Sequence, residues 1–365
     1  MYQLKINAFA ILLHFLCVDL LGQTRDPLKW PFDKTSIWNM PIHKEAIYKP
    51  ACIEDANNFE ADEDIIILYP QATFLSIKTN TAGWTGADRC VATGPTLFTA
   101  PIPAAWKYDA TVWYGRTPNA GAAILLPNGK IKQTQPFAKC STDFATSQYT
   151  WSEDSCVLKG ECIIGAHGGS GLSAIGGTIR VGEFTAGRIP HVLKINLWGK
   201  KNFYKGGGGY RWPAVKADTG FDDPTDFNYY GGKNPEMRIG ALLALHKGLD
   251  LSSISNNSLG LETEPGLIIA RTLQQYGAYT VDNTAWDCYA FIIENGPDGL
   301  VRNEFKKQFG FEINVSGGLE KSAWGRDLRR IFKALYVISN NQKDLLGGGP
   351  THDWINRLAP MAPNF

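Results

Sequence analysis

From Ile65 to Gln135 the apolar residues come in runs of a few positions, each closed by glycine, proline, asparagine or aspartate. Runs this short do not make the stripe of a helix, which needs about ten residues or more, but they suit strands of about four to eight. The clearest case is Ala122 to Gln133, where two apolar-rich runs flank Pro127-Asn128-Gly129, the makings of a tight hairpin turn. Gly176 to Trp198 extends the pattern with two further strands. In the second, His191, Leu193, Ile195 and Leu197 point one way and Val192, Lys194, Asn196 and Trp198 the other. One of these faces is core; the other, polar and aromatic, meets either solvent or a ligand.

Two segments read instead with helical spacing. Thr263 caps a helix that carries Glu264 and Pro265 in its first turn, buries Ile269, Leu273 and Tyr276, and ends at Gly277. After Ser322, Leu328, Ile331, Phe332, Leu335 and Tyr336 form an apolar stripe, with Arg326, Arg329, Arg330 and Lys333 on the wet side. The fold expected is therefore mainly β, with antiparallel sheets of sandwich or barrel type and a few covering α-helices. A β-rich main domain spans 23–321, and a C-terminal helix and tail, 322–365, packs on it. No internal repeat of fixed period is visible. Of the 365 residues 44% are hydrophobic, enough for a sizeable core.

The N-terminus sets the expected compartment. Lys5, the apolar run Ala8 to Val18 and the small Gly22 make residues 1–22 a signal peptide, so the chain is expected to be exported to the periplasm, cell surface or medium. The run is shorter than the roughly 20 apolar residues a membrane span requires, and no later segment qualifies. With 36 basic and 35 acidic side chains, the charge balance favours neither nucleic acid nor an anionic membrane as partner. Loss of Cys17 with the leader leaves Cys52, Cys90, Cys140, Cys156, Cys162 and Cys288. In an oxidising compartment Cys156 and Cys162 are the natural local disulfide. The sequence sets no oligomeric state.

The glycine-rich segment Gly165 to Gly177 has dinucleotide-fingerprint spacing at Gly169, Gly171 and Ala174, but its exit, Thr178-Ile179-Arg180-Val181, alternates like a strand where that fingerprint needs a helix. His167-Gly168-Gly169 has the form of an oxyanion loop, yet no Gly-x-Ser-x-Gly nucleophile elbow accompanies it. No zinc-type spacing is present. Asp222, Asp223, Asp226 and Asn228 make an acidic loop that calcium would suit, though without the spacing of an EF-hand; no other cofactor is implied.

Carboxylates suited to glycoside cleavage stand at Glu183, Asp218, Asp282 and Asp287, the last two flanking Trp286. Lyase chemistry would draw instead on a base such as His167 and on His191, Arg180, Asn196, Tyr210 and Arg211. The candidate site lies where the His167 loop meets the segments carrying Asp218 and Trp286-Asp287. His167, Asp218, Asp287 and Glu183 are its catalytic candidates; Arg180, Tyr210, Arg211, Trp212 and Trp286 are its substrate contacts, with no metal.

Ser36-Ile37-Trp38-Asn39, the Gly165 to Arg180 segment, Tyr210-Arg211-Trp212-Pro213-Ala214, Gly260-Leu261-Glu262-Thr263-Glu264-Pro265, Tyr276-Gly277-Ala278-Tyr279 and Asp282 to Asp287 carry a resemblance over nearly the whole mature chain. The chain resembles a family of exported bacterial proteins of polysaccharide-degrading Bacteroidetes, for which no activity is established. The resemblance implies a carbohydrate setting and no catalytic residue. The function expected is an exported carbohydrate-active enzyme acting on a polysaccharide, glycoside hydrolase ahead of polysaccharide lyase. The alternative is a non-catalytic carbohydrate-binding surface protein.

Overall fold

Gly129 adopts the left-handed backbone that the Pro127-Asn128-Gly129 turn requires, and it joins two antiparallel strands, Ala122–Leu125 and Ile131–Gln135. They belong to a computed structural model that describes residues 24–84, 88–107 and 117–365, so the expected leader and Cys17 lie outside the described residues. In chain order the strands are β1 (Tyr48–Pro50), β2 (Asn58–Ile67), β3 (Phe74–Asn80), β4 (Thr93–Pro101), β5 (Ala122–Leu125), β6 (Ile131–Gln135), β7 (Ala138–Lys139) and β8 (Phe144–Ser147). There follow β9 (Tyr149–Thr150), β10 (Ile164–His167), β11 (Leu193–Leu197), β12 (Leu242–Leu245), β13 (Ala278–Asn283), β14 (Cys288–Gly296), β15 (Gly299–Leu300) and β16 (Leu335–Ile338). The helices are α1 (Gly199–Asn202), α2 (Glu264–Gln275), α3 (Val301–Phe309) and α4 (Ala323–Lys333).

The protein is β-rich, and its large sheet runs in the order β1-β16-β12-β13-β11-β14-β2-β5-β6-β9, with β15 on β14. This sheet is mixed: β13 lies parallel to β11, and β2 parallel to both β14 and β5. Parallel neighbours need long crossovers: β3 and β4 lie in the one between β2 and β5, and α1, β12 and α2 in the one between β11 and β13. A second sheet, β4-β3-β8-β7, packs its Leu75, Ile77 and Ala145 with Ile65, Ile67, Ala122 and Ile124 of β2 and β5. One expected strand is missing. Thr178 to Val181 makes only an isolated bridge, Ile179 to Ile293, because the Arg180 backbone amide donates to the Glu183 carboxylate (2.7 Å) and turns the chain away.

Alternation along β2, β11 and β14 separates two cores. Phe59, Leu193, Ile195, Leu197, Phe291 and Ile293 pack with the helices. Thr263 caps α2 through the Gly266 amide and Ser322 caps α4 through the Gly325 amide, as their sequences suggest. From α4, Leu328, Ile331 and Phe332 enter this core, with Phe332 stacked on Tyr289 at 4.1 Å between ring centroids. Truncating such a side chain costs about 3–5 kcal/mol. The chain after α4 then returns as β16, inserted between β1 and β12, so the C-terminal segment is an inner part of the sheet. The opposite face holds the second core, with Trp38, Ile66, Leu172, Val281 and Ile292.

Among the described residues two disulfides tie loops, Cys156–Cys162 within the second core and Cys90–Cys140 beside β7 of the second sheet, while Cys52 and Cys288 are free thiols. Such bonds suit an oxidising compartment. No helix among the described residues is long and apolar enough to cross a membrane.

Candidate functional site

On the face of the second core, the middle strands carry charge where their neighbours carry aliphatic side chains. Asp62 and Asp64 of β2 precede Ile66 on that side, and Lys194 and Asn196 of β11 follow Val192. A register shift between Ile195 and Asn196 brings Asp282 of β13 opposite Asn196. Over them lies the glycine-rich loop after β10. The buried Gln133 side chain holds it at the Ile164 carbonyl and the Ala166 and Ala174 amides, and the Ser170 amide donates to the Val281 carbonyl.

The loop is rich in glycine because it presses on carboxylates. A Cβ at Gly168 would collide with the Asp282 carboxyl, and one at Gly169 with that of Asp218. The Gly169 amide donates to Asp282 Oδ1 at 2.8 Å. Asp218 accepts from the Tyr230 hydroxyl at 2.6 Å, and Tyr230 is fully buried. Asn196 Nδ2 donates to Asp62 Oδ2 at 2.9 Å.

Asp64 forms the floor. It accepts from Lys194 Nζ at 2.5 Å, from Thr178 Oγ1 at 3.2 Å and from His167 Nδ1 at 3.2 Å. Asp64, Lys194 and His167 are all buried, whereas Asp62, Asp218 and Asp282 are each partly exposed. The arrangement is a recess with three carboxylates at its mouth and an ion cluster beneath. Two side-chain atoms there are buried without a partner, His167 Nε2 and Asn196 Oδ1.

Their environments spread the proton affinities. Burial pushes Asp218 up to about 8, the charge of Asp282 pushes the same way, and the Tyr230 hydrogen bond opposes both. Burial raises Asp62 to about 6 against the pull of His167, with Asp64 and Asp282 adding to the rise. Burial also raises Asp282, though His167 and the Gly169 amide resist. For Asp64, burial is outweighed by Lys194 and then His167, which leave it below the ordinary range and ionised. Burial would lower His167, but Asp64 outweighs it and the imidazole sits above its usual value. Lys194 is lowered by burial despite Asp64. At neutral pH the recess therefore holds a protonated carboxyl beside ionised ones.

Aromatic side chains stand near its mouth. The Thr284 amide donates to the Leu197 carbonyl, so the turns after β13 and β11, which bear exposed Trp286 and half-buried Trp198, run together. Asn283 Nδ2 bonds Asn228 Oδ1, which draws in the loop that bears exposed Phe227.

Of the residues singled out by sequence, His167 and Asp218 meet here. Asp287 bonds Lys201 (2.9 Å) and Asn57 (3.2 Å), and it is Asp282 that meets the glycine loop. Glu183 binds His191 Nε2 at 3.0 Å, and Arg180 binds Glu294 at 2.8 Å, in a separate cluster of which only Glu183 is partly exposed. Arg211 pairs with Glu236, Trp212 packs on the second core, and Tyr210 is exposed. Asp62 and Asp64 are not among the sequence candidates, although the acidic run Asp62-Glu63-Asp64 leading into Ile65-Ile66-Ile67 is unusual for a buried strand. Tyr230 gave no signal. In the acidic loop Asp223 and Asp226 bond Thr225 and the Asn228 amide, and no group of three or more His, Cys, Asp or Glu among the described residues is placed to hold a metal. No protein family, no curated protein and no solved structure matches the chain.

Proposed function

We propose that this protein is an exported glycoside hydrolase whose chemistry is done by the carboxylates at the mouth of the recess. The observation that carries the reading is the split among them: Asp218 keeps its proton near neutral pH while Asp62 largely gives its up. Sugar hydrolysis needs one carboxyl group to give a proton to the glycosidic oxygen and another to take one from the attacking water. In this assignment Asp218 is the acid, with Asp282 raising its affinity for the proton, and Asp62 is the base. The carbon–oxygen bond to the leaving sugar breaks as that to water forms, and the proton delivered by Asp218 is matched by the one Asp62 accepts. Trp286, Trp198 and Phe227 offer flat faces to sugar rings beside the recess.

The recess is a poor place for lyase chemistry. That reaction takes a uronate and needs cations to hold its charge, whereas Lys194 and His167 are bound to Asp64, three aspartates stand at the opening, and the exposed Lys216 is drawn to Asp218 and Asp282. The purified protein, assayed on neutral and on uronate-bearing polysaccharides, is expected to release new reducing ends from a neutral one and no unsaturated product. Unsaturated ends, or binding without turnover, would overturn the reading.

A further inference from the structure

Asn196 spends its amide nitrogen on Asp62 and His167 spends Nδ1 on Asp64, which leaves Asn196 Oδ1 and His167 Nε2 unpartnered. Both residues are more than nine-tenths buried, at 3% and 4% exposure, and a polar atom so placed without a partner is costly unless something arrives to bind it. They sit together. Asn196 touches Asp62 and lies opposite Asp282 across the β11–β13 pair, and His167 is the cation that acts most strongly on both carboxylates. Asp62 and Asp282 are each partly exposed, so the two unpartnered atoms lie beneath side chains that meet solvent.

The chemistry of the pair defines its ligand. Ionised Asp64 can only accept, so His167 Nδ1 carries a hydrogen, and the imidazolium form that Asp64 favours leaves Nε2 a donor. Asn196 Oδ1 can only accept. A group that bonds both must donate once and accept once, as a hydroxyl does. A carboxylate has no hydrogen for Asn196 and would enter beside the ionised Asp62 and Asp64; an ammonium has no lone pair for His167.

We propose that Asn196 Oδ1 and His167 Nε2 form a hydroxyl-recognition subsite that seats one ring hydroxyl of an uncharged sugar and excludes uronic acids and amino sugars. The proposal rests on the carbohydrate reading of the site but not on turnover. It also explains the buried ion cluster, since Lys194, Thr178 and Asp64 fix the imidazole that reads the hydroxyl.

The test uses the whole mature protein as Asp218→Asn, so that bound sugar is not cleaved. Methyl glycosides of glucose, galactose, mannose and xylose, with glucuronic acid and glucosamine as charged counterparts, are titrated at neutral pH, following the His167 Nε2 resonance by nitrogen NMR and affinity by calorimetry. At least one neutral glycoside is expected to move that resonance saturably. Adding Asn196→Leu should weaken its binding at least about tenfold, the scale of a buried polar group left unpaired. Because that variant can fail to fold, the ligand is changed as well: removing its hydroxyls one at a time should find a single deoxy analogue that loses the same factor. The subsite is overturned if no neutral glycoside moves Nε2, if glucuronic acid or glucosamine binds as tightly, or if every deoxy analogue binds unchanged. Neutral-sugar binding by a wild-type protein that cleaves nothing would sink the hydrolase reading and leave the subsite. Cleavage without a shift at Nε2 would do the reverse.

Discussion

Two groups of buried charge occupy the same side of the large sheet, and they are built on opposite plans. Around Arg180, two cations face two carboxylates: Arg180 binds Glu294, and His191 binds Glu183. Around Asp64, Lys194 and His167 serve four aspartates, three of them partly open to solvent. The first cluster pairs each cation with one carboxylate and exposes only Glu183 in part, as expected of groups that hold loops to a sheet. The second is overfilled with acid, and its surplus protons are what acid–base chemistry uses.

The largest effects should fall on stability, and equally in both places. Arg180→Met and Lys194→Met each strand a buried carboxylate and should cost about 3–5 kcal/mol in denaturant unfolding. The clusters part on activity: folded Arg180→Met should turn over substrate within a few-fold of wild type. A hundredfold loss there would erase the distinction between them.

Next comes Asp218→Asn, which should lower turnover at least about a hundredfold, or about 2.7 kcal/mol in the barrier, with the fold intact. The activity profile should be a bell, rising as Asp62 ionises near pH 6 and falling as Asp218 ionises near pH 8. A flat profile across that interval would remove the assigned roles.

A subtler effect concerns stability against pH. The folded carboxyl of Asp218 is raised above its unfolded value, so the folded state holds the extra proton; its favourable contribution is complete below the unfolded value near 4 and is lost as pH climbs through about 8. Asp218→Asn should therefore gain stability relative to wild type at pH 9 compared with pH 5, as read from melting temperatures. An unchanged difference between the two pH values would show that Asp218 titrates normally. The smallest effect belongs to Asp287→Asn, whose partners are Lys201 and Asn57; turnover within about threefold of wild type is expected.

Much of the frame was legible because it is local. The hairpin at Asn128-Gly129, the caps at Thr263 and Ser322 and the Cys156–Cys162 loop each rest on residues a few positions apart. The faces of β11 were legible too, since alternation places Lys194 and Asn196 away from Leu193 and Ile195. What escaped is what the topology assembles. Asp62 and Asp64 gain meaning only when β2 lies beside β14, more than 200 positions later, and Asp282 faces the recess only through the register shift against β11. Nothing near Glu183 in sequence says that it will close on His191 and Arg180 instead.

The central claim is that the recess holds protonated and ionised aspartates side by side at neutral pH. Carbon NMR titration of aspartate carboxyls in the wild-type protein, assigned with single Asp→Asn variants, tests it most directly. The account predicts Asp64 ionised throughout the neutral range, Asp62 titrating near pH 6 and Asp218 keeping its proton until about pH 8. Ionisation of all four aspartates below pH 5 would contradict it.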